Sequence, residues 1–373
     1  MMSNFNKPGN MEHPENDNAY KGLVVNEGVS QPPIVNPYLN GNSFRRNELS
    51  VAEMVEGIAK GDITVLSQAV TLVESTNPDH YAKAQEVIEK CLPLSGKSVR
   101  IGISGVPGAG KSTSIDKFGV HLLDNYGGKL AVLAIDPSSE FGKGSILGDK
   151  TRMETLVQRR DAFIRPSPSA GSLGGVARKT RETVLLCEAA GFDKIFIETV
   201  GVGQSETACQ SMVDFFLVIQ LSGAGDELQG IKRGIMEMAD GIVINKCDGD
   251  NVDACKLSAI QLRNAFHFFP APESGWTRQV LTYSGLNGTG IKEIFEMIFS
   301  YIGFVKANGY FDIRRRRQNN YWMKETIDSA ILGNFYQKME IRLKQAEESV
   351  WNGQMTPFTA AHSLIDEYYK LIK

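Results

Sequence analysis

Apolar and polar positions fall into two rhythms along this chain. Val51, Met54, Val55 and Ile58 recur at the three-and-four spacing of a helix that Gly61 ends. Ile63 to Val73 continues with an apolar face, and Tyr81 to Cys91 makes a third helical segment. Short unbroken apolar runs then take over, near 99–104, 130–135, 162–165, 193–198, 214–221, 240–245 and 278–283. Helical stretches follow most of them, at about 111–126, 149–160, 176–190, 226–239, 251–268 and 290–305. Buried strands alternating with helices predict an α/β fold, a mostly parallel sheet with helices on both faces. Further on, Leu332, Phe335, Met339, Leu343, Ala346 and Val350 form a helical stripe. A last helix over about 357–372 carries Phe358, Leu364, Ile365, Tyr368 and Leu371. Residues 1–47, rich in Asn, Pro, Gly and Ser, read as a flexible arm. The expected order is that arm, a helical cap over 48–95, the α/β domain over 96–307 and a helical extension over 308–373. Because the last helices lie beyond the α/β domain, their stripe is read as a subunit interface, giving a homodimer.

In an open parallel sheet, ligands gather at the carboxyl ends of the strands, and the polar motifs of this chain fall there. The first strand runs into Gly105-Val106-Pro107-Gly108-Ala109-Gly110-Lys111-Ser112, followed by Thr113 and a helix. This is the phosphate-binding G-x-x-x-x-G-K-[ST] loop in its strand–loop–helix setting. Its glycines let backbone N–H groups turn inward on phosphate oxygens, and the helix N-terminus adds partial positive charge. Lys111 is placed to reach the β- and γ-phosphates, and Ser112 to ligate Mg²⁺. A P-loop NTPase sheet binding a nucleoside triphosphate is the implied core.

Four more strand ends carry polar groups, beginning at Asp136, Glu198, Asn245 and Ser284. Asn245-Lys246-Cys247-Asp248 is the N-K-x-D pattern of guanine readers. A carboxylate at Asp248 accepts from guanine N1–H and the 2-amino group together, whereas adenine would leave it buried and unpaired, a discrimination of roughly 10⁴. Asn245 would tie this loop to the phosphate loop, and the Lys246 stem would lie along the base. Ser284-Gly285-Leu286, after the next strand, would offer backbone N–H groups to guanine O6. GTP and GDP are therefore expected in preference to ATP. Mg²⁺ takes oxygen ligands, for which Ser112, Asp136, Asp149 and Glu198 are the candidates. Lys111, Glu198 and Asp136 are the residues assigned to catalysis. In Glu198-Thr199-Val200-Gly201 the Gly201 N–H would sense the γ-phosphate. The next residue is Val202 where Ras-like enzymes have a water-orienting glutamine, so slow intrinsic hydrolysis is expected. Residues 140–153 and 223–233, glycine-flanked and charged, are candidate switch segments.

Composition narrows the remaining possibilities. A formal charge of −3 implies no general affinity for nucleic acid. The run Arg314 to Arg317 is read as a solvated linker or helix start in preference to a nucleic-acid patch. The 5 cysteines hold no C-x-x-C pair and the 5 histidines no ligand cluster, which speaks against disulfides or zinc and for a reducing compartment. No apolar run reaches the roughly 18 residues of a membrane span. The N-terminus shows no apolar signal core and carries Glu12, Glu15 and Asp17, unlike an acidic-poor transit peptide, so a cytoplasmic location is expected.

The motifs together resemble the MeaB/ArgK family, GTPases associated with methylmalonyl-CoA mutase within the SIMIBI class of P-loop proteins. The resemblance rests on Gly105 to Thr113, Ala134 to Ser139, Arg165 to Pro168, Glu198 to Glu206, Gly225 to Lys232, Asn245 to Asp248 and the upstream Ala69 to Ser75. It covers about 50–305 firmly and the C-terminal part more loosely. One departure is Gly285, where alanine is usual. The resemblance implies a GTPase chaperone that gates adenosylcobalamin loading and protects or reactivates methylmalonyl-CoA mutase, homodimeric through its C-terminal helices. Three other classes are open to a chain of this kind: a nickel-inserting metallochaperone GTPase, which would need Cys or His near the switches; an ATP-dependent kinase attached to amino-acid transport, which N-K-x-D opposes; and a structural dimer that binds nucleotide without turnover.

Overall fold

The computed structural model describes residues 49–135, 153–166, 173–199, 205–223 and 233–372. Among them, seven strands form one parallel sheet: β1 (Val99–Gly105), β2 (Leu130–Ile135), β3 (Ala162–Arg165), β4 (Lys194–Thr199), β5 (Phe215–Leu221), β6 (Gly241–Asn245) and β7 (Gln279–Thr282). Their order is β3-β2-β4-β1-β5-β6-β7, with every pair parallel. All seven coincide with the apolar runs, because strands covered on both faces need apolar side chains at consecutive positions. β1 lies centrally, with Gly102 opposite Ile197 on one side and Phe216 on the other.

Three helices, α1 (Val51–Ala59), α2 (Ile63–Glu74) and α3 (Pro78–Cys91), precede the sheet. Side-chain caps start each one. Ser50 and Glu53 make a reciprocal capping box, and Asp62 and Asn77 accept from the first turns of α2 and α3. Then come α4 (Lys111–Tyr126), α5 (Leu173–Ala189), α6 (Ser205–Gln210), α7 (Arg233–Met238), α8 (Val252–Phe266) and α9 (Ile291–Ala307). One apolar core joins α1–α3 to α5 and the sheet face carrying Ile195, Ile197, Phe216 and Val218. The opposite core packs α4 and α9 on Ile101, Ile103, Phe196, Leu217 and Ile219. There Phe118 meets Phe295 edge-on at 5.9 Å.

Residues 153–160 differ from expectation. No α-helix forms there, only a 3-10 turn over Leu156–Gln158. Asp116 Oδ1 accepts from the N–H groups of Thr155 (3.1 Å) and Leu156 (2.7 Å), competing with a helical ladder. Met153 and Leu156 are buried as loop anchors, and a three-residue spacing fits that turn equally well.

The C-terminal region forms α10 (Tyr310–Trp351) and α11 (Pro357–Leu371). Its root corrects the reading of the arginine run. Arg314 is buried, donating to Asp240 and to Tyr301 Oη at 2.8 Å each. Arg315 grips Asp214 through two nitrogens at 2.8 and 2.7 Å and donates to the Gly96 and Ser98 carbonyls. Gln318 and Trp322 continue the grip on the Val213 and Ser211 carbonyls. Only Arg317, paired with Glu273, is strongly exposed within the ion pairs of this run.

Part of the stripe expected at a subunit interface is covered within the chain. Met339 is buried, Leu364 and Ala360 of α11 are buried, and Phe335 meets Tyr368 edge-on at 5.1 Å. Leu332 and Phe358 of the expected stripes stay exposed, as do Ile327, Ile331, Tyr336, Ile341 and Tyr369. Among the described residues no helix is long and apolar enough to cross a membrane.

Arg315→Met leaves the Asp214 carboxylate buried beside a missing guanidinium and is expected to lower stability by about 3–5 kcal/mol in urea unfolding. Arg317→Met, at an exposed pair, is expected to leave the midpoint nearly unchanged.

Candidate nucleotide site

The carboxyl edge of the sheet brings the phosphate loop and the N-K-C-D loop together. Gly105 closes β1 against β5 so tightly that a Cβ there would lie 2.2 Å from the Ile219 carbonyl oxygen. At the other end of the loop Gly110 takes φ +83° and starts α4, and a Cβ on it would meet Asn245 Nδ2 at 2.9 Å. Between them Pro107 and Gly108 are exposed, Val106 is half-buried and Ala109 is buried. Lys111 folds over the loop, donating to the Gly105 carbonyl at 2.8 Å and to that of Val106 at 3.3 Å. Burial lowers its ammonium below the usual lysine range, and the carboxylates of Glu198 and Glu206 oppose that shift. Thr113 is exposed on the first turn of α4.

Asn245 ends β6 and is buried. Its Nδ2 donates to the Ala109 carbonyl at 2.7 Å, while its Oδ1 accepts from Gly285 N–H at 2.9 Å and from Lys246 N–H at 2.7 Å. One carboxamide therefore ties the phosphate loop to both purine-side loops. Lys246 follows with φ +61°, the one non-glycine residue with a left-handed backbone among the described residues. Asn251 Nδ2 holds that kink by donating to the Lys246 carbonyl at 2.8 Å. Asp248 accepts from the Ser284 hydroxyl.

The three N–H groups of 284–286 are all engaged inside the protein. Ser284 N–H donates to Thr289 O at 2.9 Å, Gly285 N–H to Asn245, and Leu286 N–H to Ser284 Oγ at 3.3 Å. Leu286 has the longest of the three contacts, and its side chain is exposed. At Gly285 a Cβ would come 3.3 Å from Asn245 Oδ1, tight but short of a clash.

Ser112 Oγ donates to Glu198 Oε1 at 3.2 Å. Two hard oxygens at that separation fit neighbouring positions around Mg²⁺, whose ligand distances are about 2.0–2.1 Å. Asp136 and Asp149 lie outside the described residues, as do Gly201, Val202, Gln204 and nearly all of both candidate switch segments.

Four residues were not singled out from the sequence. Ser114 Oγ donates to the Gly110 carbonyl at 2.8 Å and meets Tyr283 Oη at 2.7 Å, buttressing the start of α4 against β7's end. Asn251 braces Lys246. Glu206, buried in the first turn of α6, contributes negative charge toward Lys111. A signal existed for two of them: Ser114 interrupts an otherwise apolar helix face, and Tyr283 places a hydroxyl at the end of an apolar run.

The model of the family described as methylmalonyl-CoA mutase-associated GTPase MeaB matches residues 66–340. The chain belongs to the MeaB family. A putative GTPase of Caulobacter vibrioides is 47% identical over 319 residues, covering 85% of this chain and 97% of the relative. The mouse protein named methylmalonic aciduria type A homolog, mitochondrial, is 37% identical, covering 97% of this chain and 90% of its own length. The crystal structure of a LAO/AO transport system kinase superposes with a TM-score of 0.69 at 36% identity, covering 87% of this chain and 99% of that one. Membership in the MeaB family places the chain among guanine-nucleotide-binding P-loop proteins. The matched span runs from α2 into α10, so the family model takes in the phosphate loop, N-K-C-D and the arginine root.

Proposed function

We propose that this chain binds GTP and GDP with Mg²⁺, hydrolyses GTP slowly, and serves as a chaperone that gates adenosylcobalamin loading and protects or reactivates methylmalonyl-CoA mutase. The observation that carries the nucleotide part is the Asn245 side chain, bonded to Ala109 O at 2.7 Å and Gly285 N–H at 2.9 Å. That contact supports one nucleotide being shared by the phosphate loop and the N-K-C-D loop.

In this reading the N–H groups from Gly105 to Thr113 and the Lys111 ammonium hold the phosphates, and Lys111 exchanges its carbonyl partners for phosphate oxygens. Asp248 reads the guanine edge, Lys246 lies along the base, and Leu286 N–H exchanges Ser284 Oγ for guanine O6. Ser284 and Gly285 shape that loop. Ser112 and Glu198, with Asp136 and Asp149, would hold Mg²⁺, which supplies positive charge to the β- and γ-phosphate oxygens. Lys111 stabilises the same charge as it develops, and Glu198 and Asp136 keep the cation in place. With Val202 in the glutamine position, turnover awaits a group supplied by the partner.

The client is argued from family membership and from the mouse relative, whose name refers to methylmalonic aciduria. A homodimer formed through the hairpin α10–α11 is supported by its exposed face of Ile327, Ile331, Leu332, Tyr336 and Phe358. The proposed organisation keeps an arm over 1–47, a cap over 48–95, a GTPase domain over 96–307 and the dimerising extension over 308–373. All 5 cysteines are free, which supports a reducing compartment and the cytoplasm as the proposed location.

Asp248→Asn is expected to move preference from guanine to xanthine nucleotides by at least about tenfold; retained GTP preference in equilibrium binding removes Asp248 from the base site. A chain ending after Glu325 keeps Arg314, Arg315, Gln318 and Trp322 in place. It is expected to sediment as a monomer that still binds GTP, whereas a persisting dimer puts the interface elsewhere. Co-purification with a cobalamin-dependent methylmalonyl-CoA mutase should differ between GDP and a non-hydrolysable GTP analogue; no capture in either state removes that client.

A further inference from the structure

Three buried polar side chains, those of Ser114, Asn245 and Tyr283, close a circuit between the phosphate loop and the purine-side loops. Ser114 Oγ donates to the Gly110 carbonyl at 2.8 Å and lies 2.7 Å from Tyr283 Oη. Asn245 Nδ2 approaches the same serine oxygen at 3.5 Å. A serine hydroxyl has one proton and two lone pairs. Its proton is committed to Gly110, so Tyr283 is the donor to Ser114. Burial raises the Tyr283 phenol above its usual range, which keeps that proton in place. The ring packs on Phe118 at 5.3 Å between centroids. The Tyr283 backbone meanwhile belongs to the purine side. Its N–H donates to the Ile244 carbonyl at 2.9 Å, and its carbonyl accepts from Cys247 N–H at 3.0 Å.

The circuit holds two consecutive carbonyls of the phosphate loop. Asn245 takes that of Ala109 at 2.7 Å. Ser114 takes that of Gly110 with its hydroxyl and also with its N–H, the latter at 2.9 Å. In a planar trans peptide the N–H points opposite to the C=O. Pinning the Ala109 carbonyl therefore fixes the direction of the Gly110 N–H, and pinning the Gly110 carbonyl fixes that of the Lys111 N–H. Gly110, at φ +83°, has no side chain with which to hold this turn itself. A serine bonding back four residues is ordinary in a helix. A buried tyrosine donating into it from beyond β7 is an addition that a helix does not need.

We propose that Tyr283 is a positioning residue for diphosphate recognition: through Ser114 it holds the Gly110 carbonyl, and so aims the Lys111 N–H at the phosphates. This rests on the nucleotide site proposed above. The purine side thereby reaches the phosphate loop by a second route beside Asn245, one made of hydroxyls. The Tyr283 proton is spent on Ser114, so its effect passes through that residue. Base selection, which belongs to Asp248, is left untouched.

The test compares GDP binding by the full chain with that of Tyr283→Phe, Ser114→Ala and the double variant. Tyr283→Phe keeps the ring and removes one donor, leaving only an unused lone pair on Ser114. It is expected to keep the thermal midpoint within about three degrees. GDP affinity should fall about three- to tenfold, the worth of one hydrogen bond. The ratio of GDP to xanthosine diphosphate affinity should not move. With Ser114 already alanine, adding Tyr283→Phe should cost no further affinity. Unchanged GDP affinity in Tyr283→Phe overturns the proposal. So does an additive loss in the double variant or a shifted base preference, since either shows the ring or the whole loop acting in place of the hydroxyl pair. A Tyr283→Phe chain that fails to fold makes the hydroxyl a structural requirement and likewise overturns it. A wild-type chain that binds no GDP removes the nucleotide site and this proposal together, whereas wild-type binding with an unaffected variant removes this proposal alone.

Discussion

One buried carboxamide sets the geometry of the site. Asn245 must donate to the Ala109 carbonyl and accept from two N–H groups at once. Aspartate lacks the donor and leucine lacks both functions, and in a low-dielectric interior an unmatched partner costs about 1–3 kcal/mol. The surrounding sequence follows from this contact. Gly110 leaves room for the amide nitrogen, and Ser114 and Tyr283 occupy the polar space beside it. Asn251 then braces the left-handed residue that aims the loop beyond. The G-x-x-x-x-G-K-[ST] loop and the N-K-C-D loop are thereby joined, although Ala109 and Asn245 are 136 positions apart.

At the amino edge of the same sheet, charge takes over from neutral hydrogen bonding. Asp214 precedes β5 and Asp240 precedes β6, and the two aspartates receive Arg315 and Arg314 from the start of α10. Each carboxylate also accepts a backbone N–H, from Arg100 and Phe216 respectively. The far ends of these strands are Leu221 and Asn245, paired in register, and Asn245 opens the N-K-C-D loop. Two adjacent rigid strands thus run from the nucleotide edge to the base of the C-terminal hairpin. The pairs are buried, so salt screens them little.

How much of this was legible in the sequence depended on whether the information was local. All seven strands were readable because complete burial writes itself as uninterrupted apolar runs. The G-x-x-x-x-G-K-[ST] and N-K-x-D motifs were readable because each is written at short fixed spacing. Leu156 misled because its spacing from Met153 suits a helix and a 3-10 turn alike. The six-residue α6 is too short to show a period. The arginines looked solvated because their partners lie 74 and 101 residues away in the chain. Likewise the stripe through Phe335 and Met339 is real, yet periodicity cannot say which surface covers it, and α11 was the nearer candidate. Tyr283, Ser114 and Asn251 act through pairings that only the folded chain creates.

The length of α10 has a mechanical meaning. Its 42 residues amount to about 63 Å of helix. The grip from Arg314 to Trp322 holds only about the first third, leaving an arm of about 43 Å beyond it. A tilt of about five degrees at that fulcrum carries the tip through about 4 Å, so ångström-scale adjustments at the root arrive magnified at the far end of the helix.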